Sequence, residues 1–327
     1  MKRREFITLL GGAIASPSAT RVAAQQATKV PRIGILTPAA SEVSPTIEAF
    51  RKGMRGLGYI EGQTVQIDLR VANGDFSALP RLAAELVGIP VNVIVTDTTS
   101  ATQAAFDATR TVPIVMAASS GDPVALGFVK NMAHPGGNVT GLLLRASELN
   151  PKRLELLQQA FPRIARVSVL VNPTSVIGPP GLRDTENAAK VLGIHASAIA
   201  ASTPAELRAL KPTALSDVHG LIVLPDGMFW QNRTIVVTLV AAARAPAIYP
   251  EREYADDGGL IAYGANVPEH FRQAAGYVDR ILRGANPADL PIDQSSKLDF
   301  VVNLRTAQAL GLTLSADFLS DAGEVIE

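Results

Sequence analysis

Residues 113–144 read PIVMAASSGDPVALGFVKNMAHPGGNVTGLLL. The apolar run Ile114-Val115-Met116-Ala117 has the continuous pattern of a buried strand, and it empties into Ser119, Ser120, Gly121 and Asp122. A polar loop at a strand's carboxyl end is where open α/β sheets bind ligands. Asp122-Pro123 fits a helix start, with Asp122 as cap and Pro123 at the first helical position, and predicts a helix to about Met132. After the Pro135-Gly136-Gly137 turn comes a second apolar run, Asn138 to Leu144.

Working outward, short β-branched runs alternate with longer amphipathic stretches, which is the mark of a parallel sheet covered by helices. Upstream, Ile33 to Leu36, Val65 to Leu69 and Val93 to Val95 read as strands, with helices over Pro45 to Leu57, Leu79 to Val87 and Ala101 to Ala108. Gly56, Gly58 and Gly62 imitate a dinucleotide fingerprint, but the last spacing is one residue too long and they follow a helix, so they read as a helix stop. Downstream, strands are expected at Val167 to Val171, His195 to Ile199, Leu221 to Leu224, Ala247 to Tyr249, Leu260 to Tyr263 and Lys297 to Asn303. Helices are expected over Pro151 to Ala160, Arg183 to Leu192, Gln231 to Ala243 and Pro268 to Leu282. The fold class is α/β, built as two doubly wound lobes.

Composition narrows the function. A chain of 327 residues suits two domains of about 150 residues each. Lys+Arg and Asp+Glu both number 30, with no basic cluster, so nucleic acid is set aside. The absence of cysteine excludes disulfides, thiolate metal sites, cysteine nucleophiles and a lipid-carrying cysteine. Residues 1–24 predict a signal peptide: Lys2, Arg3 and Arg4 precede a short apolar stretch, and Val22-Ala23-Ala24 offers small residues for cleavage. Arg3-Arg4-Glu5-Phe6-Ile7 resembles the twin-arginine pattern, and an ordinary Sec signal is the alternative. The expectation is a soluble exported protein, periplasmic and not a lipoprotein. His134, His195, His219 and His270 are scattered without metal-ligand spacing and read as surface or loop residues. With no nucleophile elbow, phosphate loop or zinc helix motif either, no metal, no cofactor and no enzymatic activity are expected.

Strand runs ending in hydroxyl, amide or carboxylate residues recur in both halves. Two sheets facing one another would gather these ends around a ligand held between the lobes, the geometry of hinge closure. Helix amino termini after Thr99 and Asp122 suit a carboxylate. Taken singly, Ser44, Thr99, Asp122 and Thr203 are each better explained as helix caps; only their accumulation argues for a site.

The segments SSGDPVALGFVKNMAHPGGNVTGL, FRKGMRGLGYIEGQ and AYGANVPEHFRQAAGYVDRILRGANPADLPI, with DFVVNLRTAQALGLTL near the end, resemble the substrate-binding proteins of ABC transporters that include tryptophan/tyrosine-type members. That resemblance implies a type I periplasmic binding fold, two lobes joined by a three-segment hinge. Residues 30–142 plus 264–290 would form lobe 1, and 143–263 plus 291–327 lobe 2. The crossings are expected near Leu142 to Leu144, Tyr263 to Ala265 and Leu290 to Pro291. Ligand residues transferred by position are Thr37, Ser41, Thr98, Thr99, Ser119, Ser120 and Asp122 in lobe 1, with Asn172, Thr174, Asp226 and Tyr263 in lobe 2. First-lobe hydroxyls and helix N–H groups would take a carboxylate, and Asp226 an ammonium. The implied role is a monomeric solute receptor that binds a small carboxylate-bearing molecule, amino-acid-like or an aromatic acid, and delivers it to an inner-membrane ABC permease. The alternative is a sensor of the same fold signalling to a membrane or regulatory partner.

Overall fold

The computed structural model describes residues 30–39, 41, 44–144, 146, 148–215, 219–294 and 297–327. The expected export segment, residues 1–24, lies outside the described residues. Among the described residues no helix is long and apolar enough to cross a membrane.

The β-branched runs of the first half pair as parallel strands. These are β1 (Arg32–Thr37), β2 (Gln66–Val71), β3 (Val93–Thr96), β4 (Ile114–Ser119) and β5 (Val139–Leu143), side by side in the order β5-β4-β3-β1-β2. Helices α1 (Pro45–Gly56), α2 (Leu79–Val87) and α3 (Thr99–Ala108) connect them and cover the sheet. Strands β3, β4 and β5 are buried along their whole length, as a sheet covered on both faces requires.

The second half repeats the arrangement with β6 (Arg166–Val171), β7 (His195–Ala200), β8 (Gly220–Val223), β9 (Ala247–Tyr249) and β10 (Ile261–Ala265), ordered β10-β9-β8-β6-β7. Its helices are α4 (Asn150–Ala160), α5 (Gly178–Val191), α6 (Pro204–Ala209), α7 (Gly227–Gln231), α8 (Arg233–Ala243) and α9 (Arg252–Asp256). In each sheet the strand order reverses beside the first strand of that half, which opens a crevice at the carboxyl ends. The expected single helix over Gln231 to Ala243 is two helices that meet at Asn232.

After β10 the chain returns to the first lobe. Helix α10 (Val267–Leu282) sets Phe271, Ala274, Ala275 and Val278 against Ile47, Phe50 and Met54 of α1 in one apolar core. The third crossing lies later than Leu290–Pro291. A two-residue strand, β11 (Asp293–Gln294), still pairs with β5 in the first sheet. Polar contacts hold this segment on lobe 1: Thr140 Oγ1 donates to the Leu290 carbonyl at 2.7 Å, and the Ile292 N–H donates to the Met132 carbonyl at 2.8 Å. Only then does β12 (Leu298–Asn303) join the second sheet, antiparallel to β10, followed by α11 (Leu304–Leu310), α12 (Ala316–Ser320) and β13 (Glu324–Ile326).

Two further expectations are corrected. The segment from Pro123 to Met132 forms turns as far as Gly127 and then bends and irregular chain instead of a helix. Asp122 does cap a first turn, accepting from Val124 and Ala125 N–H groups at 2.9 and 3.2 Å, but Gly127 takes a left-handed φ of 73° and stops it there. Phe128 and Val129 then drop into the core, with Phe128 edge-on to Phe106 at 5.2 Å. His270 is a core residue, 2% exposed on α10, while the other three histidines are exposed. Burial pushes its imidazole down to about 4.

Candidate functional site

The carboxyl ends of strands from both sheets converge on one cavity between the lobes. Lobe 1 contributes Asp97 to Ser100 after β3, Ala118 and Ser120 around the end of β4, and Leu144 after β5. Lobe 2 contributes Ser175 and Ile177 after β6, Asp226, Gly227 and Trp230 after β8, and Glu251 after β9. Thr46 of α1 and Val267 and Phe271 of α10 complete the wall. A wider outer cleft, lined in part by Phe76, Asn172 and Thr174, shares Ser100, Ser175 and Asp226 with the cavity.

The expected ligand residues divide into three groups. Thr98, Thr99, Ser120 and Asp226 line the cavity itself. Thr37, Ser119 and Asn172 stand behind it as supports: Thr37 Oγ1 donates to Asp97 Oδ2 at 2.5 Å, Ser119 Oγ is 3.1 Å from Thr99 Oγ1, and Asn172 Nδ2 donates to Asp226 Oδ2 at 3.2 Å. Ser41, Asp122, Thr174 and Tyr263 are not in the cavity wall. Ser41 is exposed, Asp122 lines a neighbouring groove, and Thr174 bonds back to Asn172 Oδ1 in the outer cleft. The Tyr263 ring packs edge-on against Phe300 at 5.9 Å.

Several donors expected to face a carboxylate are already engaged. The Ser120 and Gly121 N–H groups donate to Thr99 Oγ1 at 3.2 and 3.0 Å, which ties the β4 loop to the start of α3. With no helix after Asp122, the helix amino termini that reach the cavity include those of α3, through Thr98, Thr99 and Ser100, of α1 at Thr46, of α7 at Gly227 and of α10 at Val267.

Three carboxylates line the cavity, and among the described residues lining it there is no lysine, arginine or histidine. Burial pushes the Asp97 carboxyl up to about 7, against the lowering effect of the Thr37 hydroxyl. Burial likewise raises Glu251 to about 8; Arg153 and Arg233 oppose the shift, and Glu253 and Asp226 add to it. Asp226 is also raised by burial, although Asn172 and the Phe229 and Met228 N–H groups favour its charged form. Asp97 Oδ1 and Glu251 Oε2 are buried without a hydrogen-bond partner in the protein. So is the indole Nε1 of Trp230.

These shifts set a pH dependence for the ligand-free protein. A carboxyl whose folded pKa lies above its unfolded value stabilises the fold at low pH and loses that contribution as pH rises through the folded value. For Asp97 and Glu251 the loss runs from about 4 up to about 8. The ligand-free melting temperature is therefore expected to fall from pH 6.5 to about 8 and then level off, a window in which His270 stays neutral. Asp97→Asn and Glu251→Gln should each flatten the slope in thermal melts, and an unchanged slope in both would contradict the assignment.

Sequence reasoning passed over Asp97 and Glu251. Asp97 sits in the same Thr96-Asp97-Thr98-Thr99-Ser100 run as two expected ligand residues, a usable signal. Glu251 follows a three-residue strand and looks like one more charge in a polar turn. Arg153, whose charge opposes the upward shift of Glu251, is a fully buried α4 residue whose guanidinium donates to the carbonyls of Ala146, Tyr263 and Pro250 and to Asn150 Oδ1.

Across the cleft the lobes touch. A Cβ on Gly227 would lie 3.1 Å from both the Phe76 ring and the Thr98 methyl, and one on Gly121 would lie 3.2 Å from Ile177. Phe76 packs on apolar clusters of both lobes.

A family model described as ABC transporter substrate binding protein matches residues 38–326. This chain belongs to that family. The family is a substrate-binding component of transporters, not an enzyme. A curated relative, the tyrosine-binding protein of Clostridioides difficile strain R20291, is 27% identical over 271 residues, covering 83% of this chain and 78% of the relative. The structure of an ABC domain in complex with L-Trp from Streptococcus pneumonia is 25% identical with a TM-score of 0.82, covering 90% of this chain and 99% of its own. A ligand-free, open structure of a substrate-binding protein with adhesive properties from Clostridium difficile is also 25% identical, over 91% of this chain and 99% of its own, with a TM-score of 0.65. The architecture is the type I periplasmic binding fold of this family.

Proposed function

We propose that this protein is the exported solute-binding component of an ABC importer and that it captures an α-amino acid between its lobes by hinge closure. The observation that carries the reading is the cavity itself: strand ends from both sheets form its wall, so one ligand would touch both lobes and favour their approach. Asp226 and Glu251 form an acidic side suited to an ammonium group. The Ser100 and Ser120 hydroxyls, the positive end of α3 and the Trp230 N–H offer a carboxylate side. The first-lobe peptide N–H groups bound by Thr99 play no part in it.

Closure is supported by comparison at equal sequence identity. The L-Trp complex superposes better on this chain than the open, ligand-free structure does, 0.82 against 0.65, and the Phe76–Gly227 contact bridges the lobes here. A closing ligand binds the folded form alone and so raises its stability.

The test is twofold. Protein purified from its native host is denatured and the released compounds are identified by mass spectrometry; a small amino-bearing acid in stoichiometric amount is expected. Thermal melts against the proteinogenic amino acids and a broad metabolite library should then show at least one selective stabiliser. No stabiliser in either set would sink the receptor reading. Loss of uptake of the identified compound on deleting the gene tests the importer role separately.

A further inference from the structure

We propose that the ligand of this cavity carries two protonated, N–H-bearing groups, as in an amino acid with an amine or guanidine side chain or in a short diamine. The inference rests on the reading above of a solute receptor with an interlobe cavity and concerns the charge of its ligand, whether or not that ligand is an α-amino acid. A neutral α-amino acid brings one ammonium and one carboxylate, whereas the wall presents carboxylates from both lobes, Asp97 on one side and Asp226 with Glu251 on the other. No described lysine, arginine or histidine lines the cavity to neutralise them.

The second observation concerns individual atoms. Glu251 is only 6% exposed, lines the cavity, and has an Oε2 with no hydrogen-bond partner in the protein. On the opposite lobe Asp97, a half-buried residue, has an Oδ1 that likewise lacks a partner in the protein, its other oxygen being held by Thr37. A buried carboxylate oxygen is stable in its charged form only with a donor or a cation against it. Arg153 is the nearest candidate for Glu251, but its guanidinium is spent on three carbonyls and Asn150 and makes no hydrogen bond to the carboxylate. Asp226 differs: both of its oxygens already accept, from Met228, Phe229 and Asn172. A ligand with one N–H donor at each lobe would satisfy both oxygens in their charged form. Among the described residues no group of three or more acidic, histidine or cysteine side chains is arranged for a metal ion. The need for N–H donors also excludes quaternary ammonium compounds. The raised Asp97 and Glu251 carboxyls add a direction, since a cation binds their ionised forms and tightens as protons leave between pH 6 and 8.5.

The experiment is calorimetry and thermal melting of the full protein with four sets of probes. These are L-lysine, L-ornithine and L-arginine; 1,4-diaminobutane and 1,5-diaminopentane; L-tyrosine and L-tryptophan; and choline. The expected result is binding by the first or second set, tightening from pH 6 to 8.5, with no response to choline. Asp97→Asn and Glu251→Gln should each weaken that binding by at least about 30-fold. Preference for the amino acids over the diamines would assign the cavity a carboxylate subsite as well, and the reverse would remove one; either supports the two-cation ligand. Tighter binding of tyrosine or tryptophan than of any dibasic probe, unaffected by the two substitutions, would overturn the inference and leave the receptor reading intact. Absence of binding by all four sets and by the metabolite library would overturn both. Should either variant fail to fold, the probe ranking and its pH dependence on the unaltered protein decide the matter.

Discussion

Arg153→Met is expected to lower folding stability by roughly 4 kcal/mol, because it strips donors from several buried acceptors at once. The guanidinium reaches the Tyr263 carbonyl at 2.8 Å, the Ala146 carbonyl at 2.6 Å, Asn150 Oδ1 at 2.7 Å and the Pro250 carbonyl at 3.4 Å. Those acceptors belong to the first crossing, to the start of α4, to β10 just before the second crossing, and to the residue preceding Glu251. Methionine fills much of the volume but donates nothing. Lysine restores a charge without the planar fork and should recover only part of the loss. Denaturant unfolding monitored by the fluorescence of Trp230 would measure both variants. A loss below about 1 kcal/mol, the scale of an ordinary substitution, would show that the carbonyls find other partners.

Gly227→Val is expected to weaken ligand binding by about 5- to 150-fold while leaving the ligand-free protein as stable as before. The range follows from an overpacking cost of about 1–3 kcal/mol borne only when the lobes meet. Even a Cβ there would sit 3.1 Å from the Phe76 ring, and two methyl groups extend the wedge. Scattering with the best-stabilising amino acid should show the variant failing to contract as the unaltered protein does. Phe76 lies outside the enclosed cavity, so Phe76→Ala in the same chain should restore part of the affinity. A double variant no better than Gly227→Val would mean that the valine obstructs the ligand and not the closing.

Much of the sheet architecture could be read directly, because parallel strands buried on both faces leave uninterrupted apolar runs such as Ile114 to Ala117 and Leu221 to Leu224. Local signals were less dependable where a short-range motif and its surroundings disagree. Asp122-Pro123 has the chemistry of a helix start, but Gly127 and the pull of Phe128 toward the core override it after one turn. The third crossing was displaced because β11 has only two residues and its position is set by Thr140 and Met132, far away in sequence. At the site, hydroxyl-rich strand ends pointed to Thr98, Thr99 and Ser120. The acids Asp97 and Glu251 escaped notice since each follows a short strand in a polar turn, where a charge reads as solvated, and their place in one cavity depends on strands far apart in sequence. Arg153 was hidden for a related reason: on an amphipathic helix an arginine reads as solvated, and only the three chain segments meeting there supply its acceptors.

The return of α10 to the first lobe and of β12 to the second makes the two lobes interdependent as the polypeptide emerges from the ribosome. Ile47, Phe50 and Met54 of α1 have their sheet early, yet their helical cover is translated only after the whole of β6 to β10. The second lobe in turn lacks its antiparallel neighbour to β10 until α10 has been made. Neither lobe can mature as an independent nascent unit, so the apolar stripe of α1 is the surface that a holding chaperone would meet first and longest.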